Sequence, residues 1–498
     1  MTKVDSECVT SAIVLGGVSK LRFKAVSFGF DKTDTFCSFA SRYKEEIRKI
    51  SFINETPVNT LISESNSSTS DSTAPTNLTL NRRVNRLEAP LSVDGARLVQ
   101  SIAKLANIGG LPNGGVERIA FSQADCQARK VVAGWMRDAG MRVHVDPAGN
   151  LFGRYPGRYS RVPALATGSH LDTVPNGGHY DGTYGVLAGL EVVRTLADNG
   201  QRLDHPVDVI IFADEERTMV GSKAISGNLT HEPGAYLSAN GESIESCLSR
   251  VGGDWSKRSL ARLGPEDIAA FVEVHVEQGP VLEAADTQIG VVTGIVGQRR
   301  YVFTVEGHAS HAGTTPMPMR QDALVAASQL VLAINSLGNQ SGDHVATVGC
   351  MDVSPNVANT IPDRVEFSLD IRDLDNACLD QLMVQLRAEA ARIAKETGTK
   401  ISFVSRLYNQ PAPAKTHIQN AIADVCEALS LSHMSLPSRA SHDAQELSRV
   451  TDMGMIFVPS QAGISHAITE YTAPESCVQG ANVLLHTLLS LDQHYRCS

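Results

Sequence analysis

The sequence predicts an α/β architecture with a smaller ferredoxin-like α+β lobe inserted into it. Three observations carry this. From about Arg86 onward, short apolar strands alternate with segments of helical spacing, the order that builds a sheet covered by helices on both faces. One of those strands, residues 207–213 (VDVIIFA), is almost continuously apolar, as a strand buried on both faces requires. A later block, residues 298–407, runs β-α-β-β-α-β, the order of a ferredoxin-like lobe.

Bulk properties narrow the class. The chain has 498 residues, 42% hydrophobic and 20% charged, a globular composition with length for two or three domains. Forty-four basic residues face 54 acidic ones, a net charge of −10. That argues against a nucleic-acid partner and leaves room for a local basic site that holds a small anion. No apolar run is long enough to span a bilayer, so no membrane role is expected. Nine cysteines are scattered singly. Without a C-x-x-C pair, their spacing suggests neither a thiolate metal site nor a redox motif. Reduced thiols in a cytoplasmic protein are the expectation.

Residues 1–85 stand apart as an extension. Residues 63–81 are rich in Ser, Thr and Asn and read as a disordered linker. The weakly apolar run 11–18 is too short for a secretory core, and Asp5 and Glu7 spoil a basic leader. Organelle targeting by this extension stays open. The sequons at Asn54, Asn66 and Asn77 mean little without a secretory signal.

The ordered elements follow in turn. Residues 123–139 have helical spacing and end near Gly140. Residues 142–145 and 151–154 are short strands, 164–168 an apolar strand, 184–196 a helix and 269–276 another strand. The lobe takes a strand at 298–305, a helix at 322–337, strands at 344–353 and 364–372, a helix at 376–397 and a strand at 400–407. The Pro-rich run 410–415 (QPAPAK) leaves it, and alternation resumes to 491. Domain limits are therefore expected at 86–294 with 411–498 for the larger sheet, and 295–410 for the lobe.

Chemistry-bearing residues gather at strand ends, where open α/β sheets bind ligands. His170 and Asp172 follow one apolar strand, and Asp181 lies 11 residues on, in a Gly-rich loop before a helix. Imidazole and carboxylate are natural ligands for a borderline divalent metal, and Asp172 is placed to orient the free ring nitrogen of His170. A polar turn with an Asp helix cap explains the same residues. Glu215 and Glu216 follow the buried strand, suited to divide metal binding and proton transfer between them; a solvated charge run is the bland alternative. His275, with Glu277 and Gln278 after it, ends a third strand. His466 follows a fourth, 455–458. This shared placement suggests a two-metal centre with a bridging carboxylate and one carboxylate left for acid/base work. In the lobe, His311, Asn359 and Arg372 suit a carboxylate-bearing substrate and a developing oxyanion, although an Arg such as Arg372 equally serves an ordinary ion pair.

The motifs HLDTVPNGGHYDGTYGV, the Glu215–Glu216 pair, HVEQGPVLE, SHAGTTPM, PNVANTIP, HDAQ and GMIFVPSQAGISH resemble the hydantoinase/carbamoylase branch of the metal-dependent aminoacylase and carboxypeptidase superfamily. That branch includes N-carbamoyl-L-amino-acid hydrolases, fungal-type β-ureidopropionases, and allantoate and ureidoglycolate amidohydrolases. The likeness covers about residues 86–492. It implies two divalent ions per subunit (zinc, manganese, cobalt or nickel), one held by His170, Asp181 and His275, the other by Asp181, Glu216 and His466. It implies Glu215 as the general base, His311 as the oxyanion stabiliser, and Gln278, Asn359 and Arg372 as substrate-binding positions. It further implies a homodimer formed through the lobe.

The implied activity is hydrolysis of the ureido C–N bond of an N-carbamoyl amino acid, α or β, to amine, ammonia and carbon dioxide. Allantoate or ureidoglycolate is the alternative substrate; a non-catalytic metal-binding relic is the alternative of another class, and the complete ligand set argues against it. Ser310 stands where many members have Asn, and Ser441 where Gly is common. These departures bear on the substrate, and Ser441 and His442 are further pocket candidates, with Asp443 beside them.

Overall fold

The computed structural model describes residues 91–340 and 344–496. The linker, targeting segment and sequons expected in residues 1–85 lie outside the described residues.

A nine-stranded mixed sheet forms the larger layer. Its strands are β1 (Arg142–Val145), β2 (Leu151–Tyr155), β3 (Ala164–His170), β4 (Val207–Phe212), β5 (Ile268–Val276) and β6 (Ile289–Ile295). The lobe strands β7 (Gly297–Glu306), β8 (Ser310–His311), β9 (Val345–Thr347), β10 (Met351–Ser354), β11 (Thr360–Ile361), β12 (Arg364–Asp373) and β13 (Lys400–Asn409) come next in the chain. β14 (Ala412–Pro413), β15 (His433–Ser438) and β16 (Asp452–Val458) return to the large sheet. Its order is β1-β2-β4-β3-β5-β16-β6-β14, with β15 also on β6. The central neighbours β4, β3, β5 and β16 are mutually parallel, so their carboxyl ends emerge on one edge.

Period-two alternation divides the core between the two faces. Along β4, Val209 and Ile211 pack with Leu187, Val132, Leu98 and Val483 from four helices. Ile210 and Phe212 face the other way, against Phe271, Ile225 and Leu447. Helices thus cover both faces, as the alternating sequence requires. The first of them, Gly95–Ala106, is capped by Asp94, whose carboxylate accepts the Arg97 N–H.

The second sheet is antiparallel, in the order β10-β12-β7-β13 with β9 also on β12. The helices Ala323–Gly338 and Asn376–Thr397 share a core with it through Leu330, Leu386, Phe303 and Phe367. Chain order against sheet order gives the ferredoxin-like arrangement, with first and third strands central. The expected single strand at 344–353 is instead two short strands, β9 and β10, which pair with different stretches of β12. Reading by pattern also passed over β6, whose Gly290 and Gly294 dilute the strand signal. Among the described residues, no helix is long and apolar enough to cross a membrane.

Candidate metal and substrate site

Strand register sets the site. His170 ends β3 opposite Phe212 of β4, and His275 on β5 lies opposite Phe457 of β16. All four strands therefore end at one level, and the loops that follow them carry Asp181, Glu215, Glu216 and His466. Asp214 (φ 58°), Gln278 (φ 57°) and His466 (φ 54°) in these loops have left-handed backbones, as do Asn176, Met219 and Ala462. Such conformations concentrate where side chains are aimed for function.

Asp181 is the hub. Its Oδ1 lies 3.2 Å from His275 Nε2 and 3.7 Å from His170 Nε2. Its Oδ2 lies 3.0 Å from His466 Nε2 and accepts from Gln278 Nε2 at 2.9 Å and Ser465 Oγ at 3.2 Å. Glu216 reaches the same His466 Nε2 at 3.5 Å, and Glu215 reaches His170 Nε2 at 3.5 Å. Two donor trios result, His170–Asp181–His275 and Asp181–Glu216–His466, with the ligand atoms of each within 4.8 Å of one another.

The second ring nitrogens are held from behind. His275 Nδ1 lies 2.8 Å from the Val276 carbonyl. His170 Nδ1 lies 2.9 Å from the backbone carbonyl of Asp172, while the Asp172 carboxylate is 4.0 Å away. Asp172 does orient His170, but through its main chain and not through the side chain that the sequence pointed to. The carboxylate instead accepts the Glu216 N–H at 3.2 Å, which fixes the loop carrying the acidic pair. Glu470 does the same for the other loop, accepting the N–H groups of Tyr180 and Asp181 at 2.8 and 3.2 Å.

Charge balance describes what the site can hold. Burial works against ionisation of Asp181, yet hydrogen bonds from His275 and His466 hold it well below the ordinary range. Burial opposes protonation of His275, and Asp181 outweighs it, lifting the imidazole to about 9. The hydrogen bond to Asp181 lifts His466 to about 9 as well. Burial and the charge of Asp181 raise Glu216 to about 7. Six carboxyl groups (Asp172, Asp181, Glu215, Glu216, Glu273 and Asp443) stand against four imidazoles. Gln278 Oε1 is buried without a hydrogen-bond partner. Excess buried carboxylate among inward-facing imidazoles is the chemistry of a divalent cation site, and the residues present fit it.

Sequence reasoning passed over Glu273. It is buried under the site, where it accepts from Ser169 Oγ at 2.7 Å; a carboxylate in mid-strand among apolar neighbours was the available signal. His442 stacks edge-on against His275 with ring centroids 4.6 Å apart. Burial and His275 keep it neutral, well below the usual imidazole range. Its Nε2 lies 2.9 Å from Ser438 Oγ. Ser441 is its half-buried neighbour.

The lobe residues form a separate group. β8 pairs with β11, setting His311 opposite Thr360, and the Asn359 carbonyl accepts the Ala312 N–H at 2.9 Å. His311 and Asn359 are therefore neighbours on an exposed corner. Arg372 donates to Asp370 at 3.0 and 3.4 Å and to the Arg439 carbonyl at 2.6 Å, a link from lobe to large sheet. Among the described residues, no hydrogen bond joins these three to the Asp181 cluster.

Comparison with known proteins agrees with this geometry. Residues 166–490 match the family described as Peptidase family M20/M25/M40. The chain is 40% identical over 406 residues to the Geobacillus stearothermophilus protein named N-carbamoyl-L-amino acid amidohydrolase, across 80% of this chain and 99% of that one. It is 35% identical over 423 residues to the Arabidopsis thaliana protein named ureidoglycolate hydrolase, across 82% and 89%. The crystal structure of an amidase of the hydantoinase/carbamoylase family from Burkholderia multivorans superposes with a TM-score of 0.76 at 41% identity, covering 81% of this chain and 98% of that one. With the matched family, the full-length relatives and a carboxylate-bridged cluster of donors at the sheet edge all in accord, the chain belongs to the M20/M25/M40 family, in its hydantoinase/carbamoylase branch.

Proposed function

We propose that this chain is a divalent-metal-dependent amidohydrolase that cleaves the ureido C–N bond of an N-carbamoyl amino acid. The observation that carries the proposal is Glu215, a buried carboxyl set beside two donor trios that share Asp181. One ion would be held by His170, Asp181 and His275, the other by Asp181, Glu216 and His466. Zinc, manganese, cobalt and nickel all suit such mixed donors. When bound, the cations supply Lewis acidity, polarising the ureido carbonyl and acidifying water.

The remaining roles fall to the chain itself. Glu215 takes the proton from the attacking water and returns it to the departing nitrogen. One water is consumed for each ureido group split to amine, ammonia and carbon dioxide. Gln278 Oε1, buried without a partner, is an acceptor for a ureido N–H. Arg372 clamps the substrate carboxylate; three of its five N–H donors are engaged within the protein, leaving the others for that anion. Asn359 shares the carboxylate, and His311 meets the developing oxyanion. Ser441 and His442 line the pocket wall behind His275. Residues 86–294 with 411–498 act as the metal-binding domain and 295–410 as a lid that also forms a homodimer. Closure of that lid completes the site and excludes water.

Ammonia release tests the substrate. N-carbamoyl-β-alanine, several N-carbamoyl-L-α-amino acids, allantoate and ureidoglycolate are compared with each metal added. Preference for a carbamoyl amino acid supports the proposal. The likeness to a plant ureidoglycolate hydrolase favours a second reading, and preference for a ureide would replace the substrate while keeping every residue role.

A further inference from the structure

The lobe holds a second set of metal-type donors, which shares no residue with the Asp181 cluster. His344 precedes β9, Asp373 ends β12, and Cys378 lies in the first turn of the helix Asn376–Thr397. Antiparallel pairing of Val345 with Arg372 brings the next pair, His344 and Asp373, side by side. The helix start then swings Cys378 over both. One nitrogen, one oxygen and one sulfur lie within 4.8 Å of one another.

Their spacing can be compared with a bound ion. Cys378 Sγ is 3.6 Å from His344 Nδ1, and Asp373 Oδ2 is 3.9 Å from the same nitrogen. Tetrahedral zinc, at about 2.3 Å from sulfur and about 2.0 Å from nitrogen, sets those two atoms about 3.5 Å apart. The sulfur–nitrogen span is already correct. The carboxylate oxygen has to close by roughly half an ångström, within reach of a side-chain rotation.

The far side of His344 fixes its tautomer. Nε2 lies 2.9 Å from the Leu337 carbonyl, which can only accept. The neutral ring therefore carries its proton on Nε2 and turns the lone pair of Nδ1 towards sulfur and carboxylate. Metal-ligating histidines are held in this manner. His344 and Asp373 are 7% and 5% exposed. Cys378 is partly exposed, which gives an ion, and a water to complete its shell, a way in.

We propose that His344, Asp373 and Cys378 form a further site for a thiophilic divalent cation, zinc above all, that ties β9, β12 and the following helix together. Thiolate with imidazole and carboxylate selects zinc over magnesium or calcium. Ion uptake forms a metal–sulfur bond and releases the thiol proton, so uptake strengthens as pH rises.

Cobalt is the probe, applied to the purified full chain. The expected result is a sulfur-to-cobalt charge-transfer band in the near ultraviolet, one thiolate per chain, that is lost in Cys378→Ser. Zinc content should fall by the same one ion per chain in Cys378→Ser and in His344→Gln, with ureido hydrolysis unchanged. The Asp181 cluster contains no thiol, so the band reports the lobe even in a protein that hydrolyses nothing. A folded wild-type protein without the band, a band that survives Cys378→Ser, or equal zinc content in all three proteins overturns the proposal and leaves a hydrogen-bonded thiol–imidazole–carboxylate group.

Discussion

Burial strips Glu215 of water, and the negative charges of Asp443, Glu216, Asp172 and Asp181 add to the effect, holding its carboxyl well above the ordinary range. A group so placed can carry a proton through a reaction at neutral pH, the requirement for general acid–base work. Glu215→Gln should keep its metal content and fold, and lose about 10²–10⁴ in turnover; Asp181→Asn should lose metal too. Elemental analysis beside kinetics separates the two, and a folded Glu215→Gln protein free of metal would contradict the base assignment. Gly182 is the other decisive single residue. Its φ is +63°, and a Cβ there would meet the His170 ring at 2.4 Å. Gly182→Ala should cost about 1–3 kcal/mol from backbone strain alone and displace His170, so metal content and melting temperature fall together.

At the scale of elements, the site is a set of loops fastened to strand ends, and the fasteners are buried. Arg118 is 1% exposed. It donates to the carbonyls of Leu105, Ile108 and Leu171 and to Thr183 Oγ1. Leu171 follows His170, and Thr183 lies two residues past Asp181, so one guanidinium holds both ligand-bearing segments. Burial lowers Arg118 only to about 10, which keeps it charged. Arg118→Met would strand several buried acceptors at about 1–3 kcal/mol each. The urea midpoint should therefore drop steeply, and metal content with it; an unchanged midpoint would mean that water replaces the guanidinium. Arg129 acts similarly from the helix Gln123–Asp138, donating to the Gly149 and Phe212 carbonyls at 2.9 Å each while paired to Asp125.

For the whole molecule, the proposed dimer turns on what the lobe exposes. The helix Ala323–Gly338 exposes Leu332 by 69% and Val325 by 47%. Seven residues apart, they share one helix face, and an apolar face of this kind calls for cover. Leu332→Glu should convert the proposed dimer to monomer in sedimentation-velocity runs. The same variant should reduce hydrolysis where lobe residues complete the partner's site. A wild-type protein that sediments as a monomer would remove the dimer from the proposal.

Much of this was legible in residue order. Apolar runs of strand length, helical spacing and turn residues placed the central strands β4 and β5 to within a residue, because burial on both faces demands them, while β3 and β16 run two and three residues longer than expected. His170 and His275 lie at the ends of such runs, Glu215 and Glu216 follow one within a few residues, and Asp181 and His466 lie in the loops beyond, so all six could be picked out as candidates. What residue order could not carry is distance between remote segments. Asp172 acts through its carbonyl, a choice made by backbone geometry. Glu273, Glu470 and Arg118 gained their parts only when the chain folded over them and removed the water that would otherwise satisfy them. His344, Asp373 and Cys378 show the same limit: no cysteine spacing hints at a metal site, and antiparallel register with a helix start brings the three together. Local pattern fixes which segments become strands and helices, since hydrophobic periodicity is a property of neighbours in sequence. Ligand sets, proton affinities and fasteners belong to neighbours in space, and packing alone creates those.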